Sequence, residues 1–149
     1  MPAWRRLIGD VYNLRRFVEA QDPAYESVLN ELRVGQKRGH WMWYIFPQIK
    51  SLGVSAMSQK YAILSQEEAV AYSEHPILGS RLRECTQFVL NVEGRSAEQI
   101  FHYPDNLKFR SCMTLFEHAA RDNGIFRDAL LKYYYGKPDQ LTLDILKNQ

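Results

Sequence analysis

One segment in the first third of the chain combines aromatic rings with side chains that donate hydrogen bonds. It covers residues 37–48, with the sequence KRGHWMWYIFPQ. A site that stacks a flat ligand against rings and bonds its polar edge uses this mixture of side chains. His40 is the candidate acid or base, because the ordinary pKa of histidine lies near neutrality. The candidate ligand-binding side chains are Trp41, Trp43, Tyr44 and Gln48.

The same rings are open to two other interpretations. Large aromatic side chains bury 150–250 Å² each, so the segment could fill the centre of a small helical protein. Partly exposed Trp and Tyr side chains also dominate binding hot spots, so the segment could contact a protein partner without catalysis. The burial of Trp41, Trp43 and Tyr44 separates these interpretations from a ligand pocket.

A second candidate segment covers residues 101–116, FHYPDNLKFRSCMTLF. Asp105, Lys108 and Ser111 recur every three residues, and together with Cys112 they approximate one stripe along the first two turns of a helix. A carboxylate and an amine at a helix start can perform acid–base chemistry or hold a phosphate. Asp105 is therefore a candidate catalytic residue, and Lys108 and Ser111 are candidate ligand-binding residues. Alternatively, Asp105 after Pro104 is only the N-cap of the helix.

Metal and cofactor motifs are not recognisable in the sequence. The four histidines stand singly, and neither Cys85 nor Cys112 has another cysteine or a histidine at zinc-ligand spacing. The chain also lacks a glycine-rich phosphate loop and a nucleophile elbow. We therefore predict no metal and no cofactor, and we expect any anion to be held by side chains or helix ends.

The elements that must position these residues are predicted to be helices throughout. Apolar spacing and capping patterns indicate an all-α fold of seven or eight helices in a single compact domain over residues 1–149, with an irregular aromatic-rich stretch at 40–60. The first predicted helix covers 11–20 and is capped by Asp10, and the second begins at Asp22 and ends before Gly39. A third covers 65–73, a fourth begins at His75, and a single helical turn follows Ser96. The last three cover 105–121, which Gly124 closes, 125–135 and 141–147. One of them should bury Leu78, Leu82, Cys85 and Val89.

Composition limits the class of protein. The 46% of hydrophobic residues and the 24% of charged residues describe a globular chain rather than a disordered one. A net charge of +2 is too small for a general nucleic-acid binder. The sequence has no apolar run long enough for a membrane span and no secretory signal pattern, so we expect a cytoplasmic protein with reduced, buried thiols.

Three motifs make the sequence resemble a known family. They are HWMWYIFPQ at 40–48, HPxLGxRL at 75–82 and PDxxKxxSxMTLF at 104–116, with Gln21 upstream. Over residues 12–146 the chain closely resembles the bacterial domain-of-unknown-function 1810 family. The resemblance implies a small multihelical domain and brings no established activity. It also leads us to expect Gly, Asp and Ser where this chain has His102, Asn106 and Cys112, so no second carboxylate stands at 106 and no hydroxyl at 112.

Two further resemblances bear on function. Some members of the family carry the label calpastatin, but such calpain inhibitors are largely disordered, so the globular composition argues against the label. The run of capped helices, with LGSRL at 78–82, is also remotely similar to YbiA-like N-glycosidase and ADP-ribose-processing proteins. That similarity implies a nucleotide or ribosylated small molecule as ligand, and hydrolysis of an N-glycosidic bond as the reaction of an enzyme of this kind. In that reaction Asp105 would act as acid, base or charge stabiliser, Lys108 would hold phosphate, and Trp41, Trp43 or Tyr44 would stack on the base.

Overall fold

The computed structural model describes residues 9–50, 52 and 54–149, and this part of the chain is helical with no β-strand. Ile49 and Ile63 form an isolated parallel bridge. The described residues form ten helices. These are α1 (Arg15–Gln21), α2 (Tyr25–Val34), α3 (Met42–Ile45), α4 (Ala56–Lys60), α5 (Gln66–Glu74), α6 (Leu78–Leu90), α7 (Ala97–Phe101), α8 (Asp105–Ala119), α9 (Gly124–Tyr134) and α10 (Gln140–Lys147).

Side-chain caps begin several of these helices where the sequence predicts them. The hydroxyls of Ser65 and Ser96 accept hydrogen bonds from the backbone N–H groups of Glu68 and Gln99. Gln99 also accepts from the N–H of Ser96, which completes a capping box at α7. The Asp10 carboxylate accepts from the N–H groups that open α1. The all-α prediction is therefore confirmed together with these three start signals. The predicted cap at Asp22 is wrong, because α2 begins at Tyr25 with no side-chain cap and Asp22 pairs with Arg81 instead.

α2 ends at Val34, before Gly39 as predicted, because Gly35 adopts the left-handed conformation with φ of 81° and closes the helix. Other predicted boundaries are wrong. α1 begins at Arg15 and not at residue 11. Gly124 begins α9 rather than closing α8, which ends at Ala119. The stretch at 40–60 contains α3 and α4, and these two short helices raise the number above the predicted seven or eight. Helices of four and five residues are too short to show a helical period.

α8 is the central helix of the fold. It packs against α5, α7, α9 and α10, and its buried residues cover more than one face. They are Phe109, Ser111, Cys112, Met113, Thr114, Leu115, Phe116 and Ala119. Of the described helices, α8 is the longest at 15 residues, and none is long and apolar enough to cross a membrane. Because α8 packs against these four helices, its first turns are held next to the aromatic segment.

α6 buries the predicted face, since Leu78, Leu82, Cys85 and Val89 are all inaccessible. Cys85 and Cys112 are both free thiols. Burial raises the pKa of Cys85 to about 12 and raises the pKa of Cys112 well above its ordinary value. The two thiols are therefore poor nucleophiles in this fold.

Part of the aromatic segment belongs to the core. The ring of Phe46 meets those of Phe101 and Phe109 edge to face, at centroid distances of 5.9 and 4.9 Å. Phe101 and Phe109 stack on each other at 4.7 Å. Trp41 is also buried, with 3% of its surface exposed. The core interpretation therefore holds for these rings, and the aromatic segment is anchored to α7 and to the first turns of α8.

Candidate functional site

Two lysines bind one carboxylate at the start of α8. The Nζ of Lys37 lies 2.8 Å from Oδ2 of Asp105, and the Nζ of Lys108 lies 3.3 Å from Oδ1 of the same side chain. We call Lys37, Asp105 and Lys108 the lysine–aspartate cluster. Lys37 is 8% exposed, whereas Asp105 and Lys108 are 19% and 24% exposed. The cluster carries two ammonium groups for one carboxylate, and its outer edge reaches solvent.

Each lysine of the cluster also lies over an indole ring. The Lys37 Nζ is 5.1 Å from the ring centroid of Trp41, and the Lys108 Nζ is 5.2 Å from that of Trp43. A cation at this distance is attracted by the negative face of the ring. Lys37 additionally donates a hydrogen bond to the carbonyl oxygen of Gly39. The two tryptophans therefore act on the site through the lysines.

Glu31 holds the loop that carries this arrangement. One of its carboxylate oxygens, Oε1, accepts from the N–H of Arg38 at 2.7 Å, the N–H of Gly39 at 2.9 Å and the indole N–H of Trp41 at 2.9 Å. Side-chain atoms of Trp41 lie only 2.8 Å from where a Cβ on Gly39 would stand, so glycine permits the close approach. Earlier in the loop, the N–H of Lys37 donates to the carbonyl of Ile100 at 2.7 Å, which fixes the loop to α7.

The pKa of Glu31 is lowered, so the stability of the fold depends on pH in the acid range. Burial acts to raise that pKa, but the hydrogen bonds from Gly39, Arg38 and Trp41 and the charge of Lys37 outweigh it. Since the folded pKa lies below the ordinary value of 4.5, this stabilisation is complete above pH 4.5 and is lost as the pH falls through the lowered pKa.

We expect Glu31→Gln to lower the free energy of unfolding by about 1 kcal/mol at pH 7, since it replaces charge-assisted hydrogen bonds by neutral ones. The difference should shrink as the pH falls below 4.5. Urea unfolding of both proteins between pH 7 and pH 3 measures it. A difference that stays constant with pH would show that the Glu31 charge is not the cause.

Asp105 is the first residue of α8 and not its N-cap. The N-cap position belongs to Pro104, and no side chain caps this helix. Both oxygens of Asp105 are instead engaged by lysines. Ser111 does not join the cluster, because it is 5% exposed and its hydroxyl donates to the carbonyl of Leu107 at 3.1 Å. The stripe predicted from spacing is therefore a contact between Asp105 and Lys108 only.

The remaining candidates of the aromatic segment lie at different depths. His40 is exposed, and Trp43, Tyr44 and Gln48 are partly buried. The indole N–H of Trp43 is buried and has no hydrogen-bond partner within the described part of the chain. Trp43 and Gln48 line a cavity of about 20 Å³, which is room for about one water molecule. Burial raises the pKa of Tyr44, whose backbone carbonyl accepts from Gln21 at 2.8 Å.

Comparison with known proteins decides the family. Residues 11–146 match the family described as "Protein of unknown function (DUF1810)". The chain belongs to the DUF1810 family. A similar solved structure is the crystal structure of the conserved hypothetical protein Rv1873 from Mycobacterium tuberculosis, with 52% identity over 93% of this chain and 99% of that one, and a TM-score of 0.91. No curated protein matches the chain.

This DUF1810 protein contains a strained residue just before the cluster. His102 has φ of 67° and ψ of 157°, a region that is essentially restricted to glycine. Its N–H bonds the carbonyl of Glu98 at 2.7 Å, and its carbonyl accepts from Asn106 at 3.0 Å. These backbone bonds impose the conformation. They also account for the glycine that the family resemblance leads us to expect at this position.

We expect His102→Gly to raise the free energy of unfolding by about 1 kcal/mol. Relief of strain contributes about 1–3 kcal/mol, and the greater freedom of glycine in the unfolded chain offsets about 0.5–1 kcal/mol of it. Urea unfolding measures the change. His102→Ala is the control, because alanine keeps the strain. If the glycine variant is no more stable than the alanine variant, the backbone at residue 102 is not strained.

Sequence reasoning identified Asp105 and Lys108 in this DUF1810 chain but missed how Lys37 and Glu31 support them. Lys37 is one of the hydrogen-bond donors of the segment at 37–48, and nothing in its spacing indicates that it meets Asp105. Glu31 lies on the polar side of a helix and has no motif around it. Both roles arise from contacts between α2, the loop after it and α8, which no local pattern encodes.

Proposed function

We propose that this protein binds a small anionic ligand, a nucleotide or a ribosylated small molecule, at the lysine–aspartate cluster. The observation that carries the proposal is the sharing of one carboxylate by two ammonium groups at a partly exposed corner. This arrangement keeps positive charge ready for a phosphate, since the lysines are already ordered before the ligand arrives. We also propose that the protein acts in the cytoplasm, where such ligands are plentiful.

Lys108 is the residue that would contact the phosphate. It is more exposed than Lys37, and its contact with Asp105 is the longer one, at 3.3 Å against 2.8 Å. Lys37 instead has its Nζ committed to Asp105 and to the carbonyl of Gly39. A phosphate at the exposed edge would therefore draw Lys108 outward while Lys37 continues to hold Asp105. We propose that His40, which is exposed and follows Gly39, contacts the same ligand.

Hydrolysis of an N-glycosidic bond is the reaction that we propose for an enzyme of this kind, following the remote YbiA-like similarity. When Lys108 turns to the phosphate, Oδ1 of Asp105 becomes free to face the sugar. A carboxylate there stabilises the positive charge that develops on the sugar ring as the glycosidic bond breaks. The electron pair of the broken bond goes to the leaving base, and water adds its hydroxyl to the anomeric carbon. We propose that His40 takes the remaining proton of that water and passes it to the base, so that the products are the free sugar and the neutral base.

Calorimetric titration with adenosine monophosphate and with ADP-ribose tests the binding. We expect the wild type to bind at least one of them and Lys108→Gln to bind it about tenfold more weakly, because one charge-assisted contact to phosphate is lost. Lys147→Gln is the matched control, since Lys147 is exposed at the end of α10. Equal affinity of all three proteins would remove Lys108 from the site, and no binding by the wild type would overturn the proposal.

Release of free base from nucleoside phosphates and ADP-ribosylated substrates tests the catalytic part. Product should form with the wild type and be lost with Asp105→Asn, assayed at a temperature at which both proteins are folded. Turnover by both proteins at one rate would exclude Asp105 from the reaction. Binding without turnover by the wild type would leave a ligand-binding protein and exclude the hydrolase.

A further inference from the structure

An open depression lies on the side of α7 that faces away from the core, beside the turn into α8. Its volume is about 500 Å³, and it is lined by Arg95, Ser96, Glu98, Gln99, His102 and Tyr103. The depression is open to solvent, so a flat heterocycle could lie against its wall with its other face in water. None of its lining residues belongs to the lysine–aspartate cluster.

Tyr103 is the aromatic surface of this depression. Its side chain is 72% exposed, in contrast to Trp41, which is 3% exposed and cannot present a free ring face. Tyr103 precedes Asp105 by two residues, so their Cα atoms are at most about 7.6 Å apart. The depression therefore adjoins the turn that leads into α8, where the lysine–aspartate cluster begins.

The walls of the depression are held in place without a ligand. The Nε of Arg95 donates to the carbonyl of Gly35 at 2.9 Å, and another of its nitrogens donates to the carbonyl of Gln99 at 2.9 Å. The capping box between Ser96 and Gln99 fixes the start of α7. The backbone bonds on either side of His102 fix the other wall. A preformed wall binds a flat ligand without a further ordering cost.

We propose that this depression is the subsite for the heterocyclic ring of the ligand, with Tyr103 as the stacking surface. The proposal rests on the proposed function, because it places the second half of the same ligand. The remote resemblance implies that the base of the ligand stacks on the segment at 41–44, whereas this proposal places the base at residues 102–103. Glu98 at the rim offers a carboxylate that accepts hydrogen bonds from a ring amino group, so a base such as adenine fits the chemistry of the subsite.

Calorimetric titration with two probes separates the ring subsite from the phosphate site. Adenosine monophosphate carries a base and a phosphate, whereas ribose 5-phosphate lacks the base. We expect Tyr103→Ala to weaken the affinity for adenosine monophosphate about tenfold, because stacking on an aromatic side chain is lost. The affinity for ribose 5-phosphate should not change. Tyr103→Phe should keep the wild-type affinity for both probes.

Tyr135→Ala is the matched control, since Tyr135 is an exposed tyrosine that does not line the depression. Its affinities should equal those of the wild type. If Tyr103→Ala binds adenosine monophosphate as the wild type does, or loses both probes equally, the ring subsite is overturned while the lysine–aspartate cluster remains a phosphate site. If the wild type binds only ADP-ribose, the same comparison is made with ADP-ribose in place of adenosine monophosphate. If it binds none of the three probes, the proposed function is overturned and the subsite with it.

Discussion

Gly79→Ala is expected to destabilise the protein by about 3 kcal/mol, because an added Cβ would clash with backbone. The Cβ at this position would stand 2.2 Å from the carbonyl oxygen of Ser73, where α6 begins against the end of α5. Arg83 donates to the carbonyls of both Ser73 and Gly79, which ties the two helices together at this point. Neither carbonyl can move aside without breaking these bonds.

Chemical denaturation of the wild type and the variant measures the loss. Gly124→Ala is the matched control, since a Cβ there would have no heavy atom within 4 Å and the residue lies at the start of a helix. That variant should be as stable as the wild type or slightly more stable. A loss below about 1 kcal/mol for Gly79→Ala would mean that α5 and α6 separate easily, contrary to the packing described above.

Asp105→Ala is expected to cost about 3 kcal/mol, because Lys37 would keep its buried position without the carboxylate that contacts its Nζ. Lys37 is 8% exposed, and Asp105 is the carboxylate that pairs with it. The double variant Lys37→Met and Asp105→Ala should recover part of the loss, since the buried charge is then removed as well. Thermal and urea unfolding of the two single variants and the double variant give the coupling energy, which should be about 1–3 kcal/mol.

A surface pair provides the comparison for this cycle. Arg15 and Glu19 form a salt bridge of 3.1 Å between exposed side chains one turn apart on α1. Glu19→Ala should cost only about 0.3–0.5 kcal/mol, because solvent screens the pair. If Asp105→Ala costs no more than Glu19→Ala, the amine of Lys37 finds water when Asp105 is removed, and the cluster is not a buried one.

The caps and the apolar face of α6 could be predicted from the sequence because they are local. Ser96 and Gln99 are three residues apart, and a capping box needs nothing beyond that spacing. The buried face of α6 follows from helical periodicity in the same way. Helix boundaries were less predictable, since Gly124 begins α9 instead of closing α8. Glycine occurs at both ends of helices, and only the packing around it selects between them.

In the candidate site, too, some contacts follow from local sequence and others depend on tertiary packing. The sequence by itself determined the all-α class, the family, and the pairing of Asp105 with Lys108, because these two lie on one face of one helix. Only the tertiary structure decided that Lys37 completes the cluster, that Glu31 holds its loop and that Ser111 lies outside it. It also decided which rings are core and which are free, burying Trp41 and leaving Tyr103 exposed. Spacing along the chain reports contacts within a helix, whereas these contacts depend on how separate helices pack.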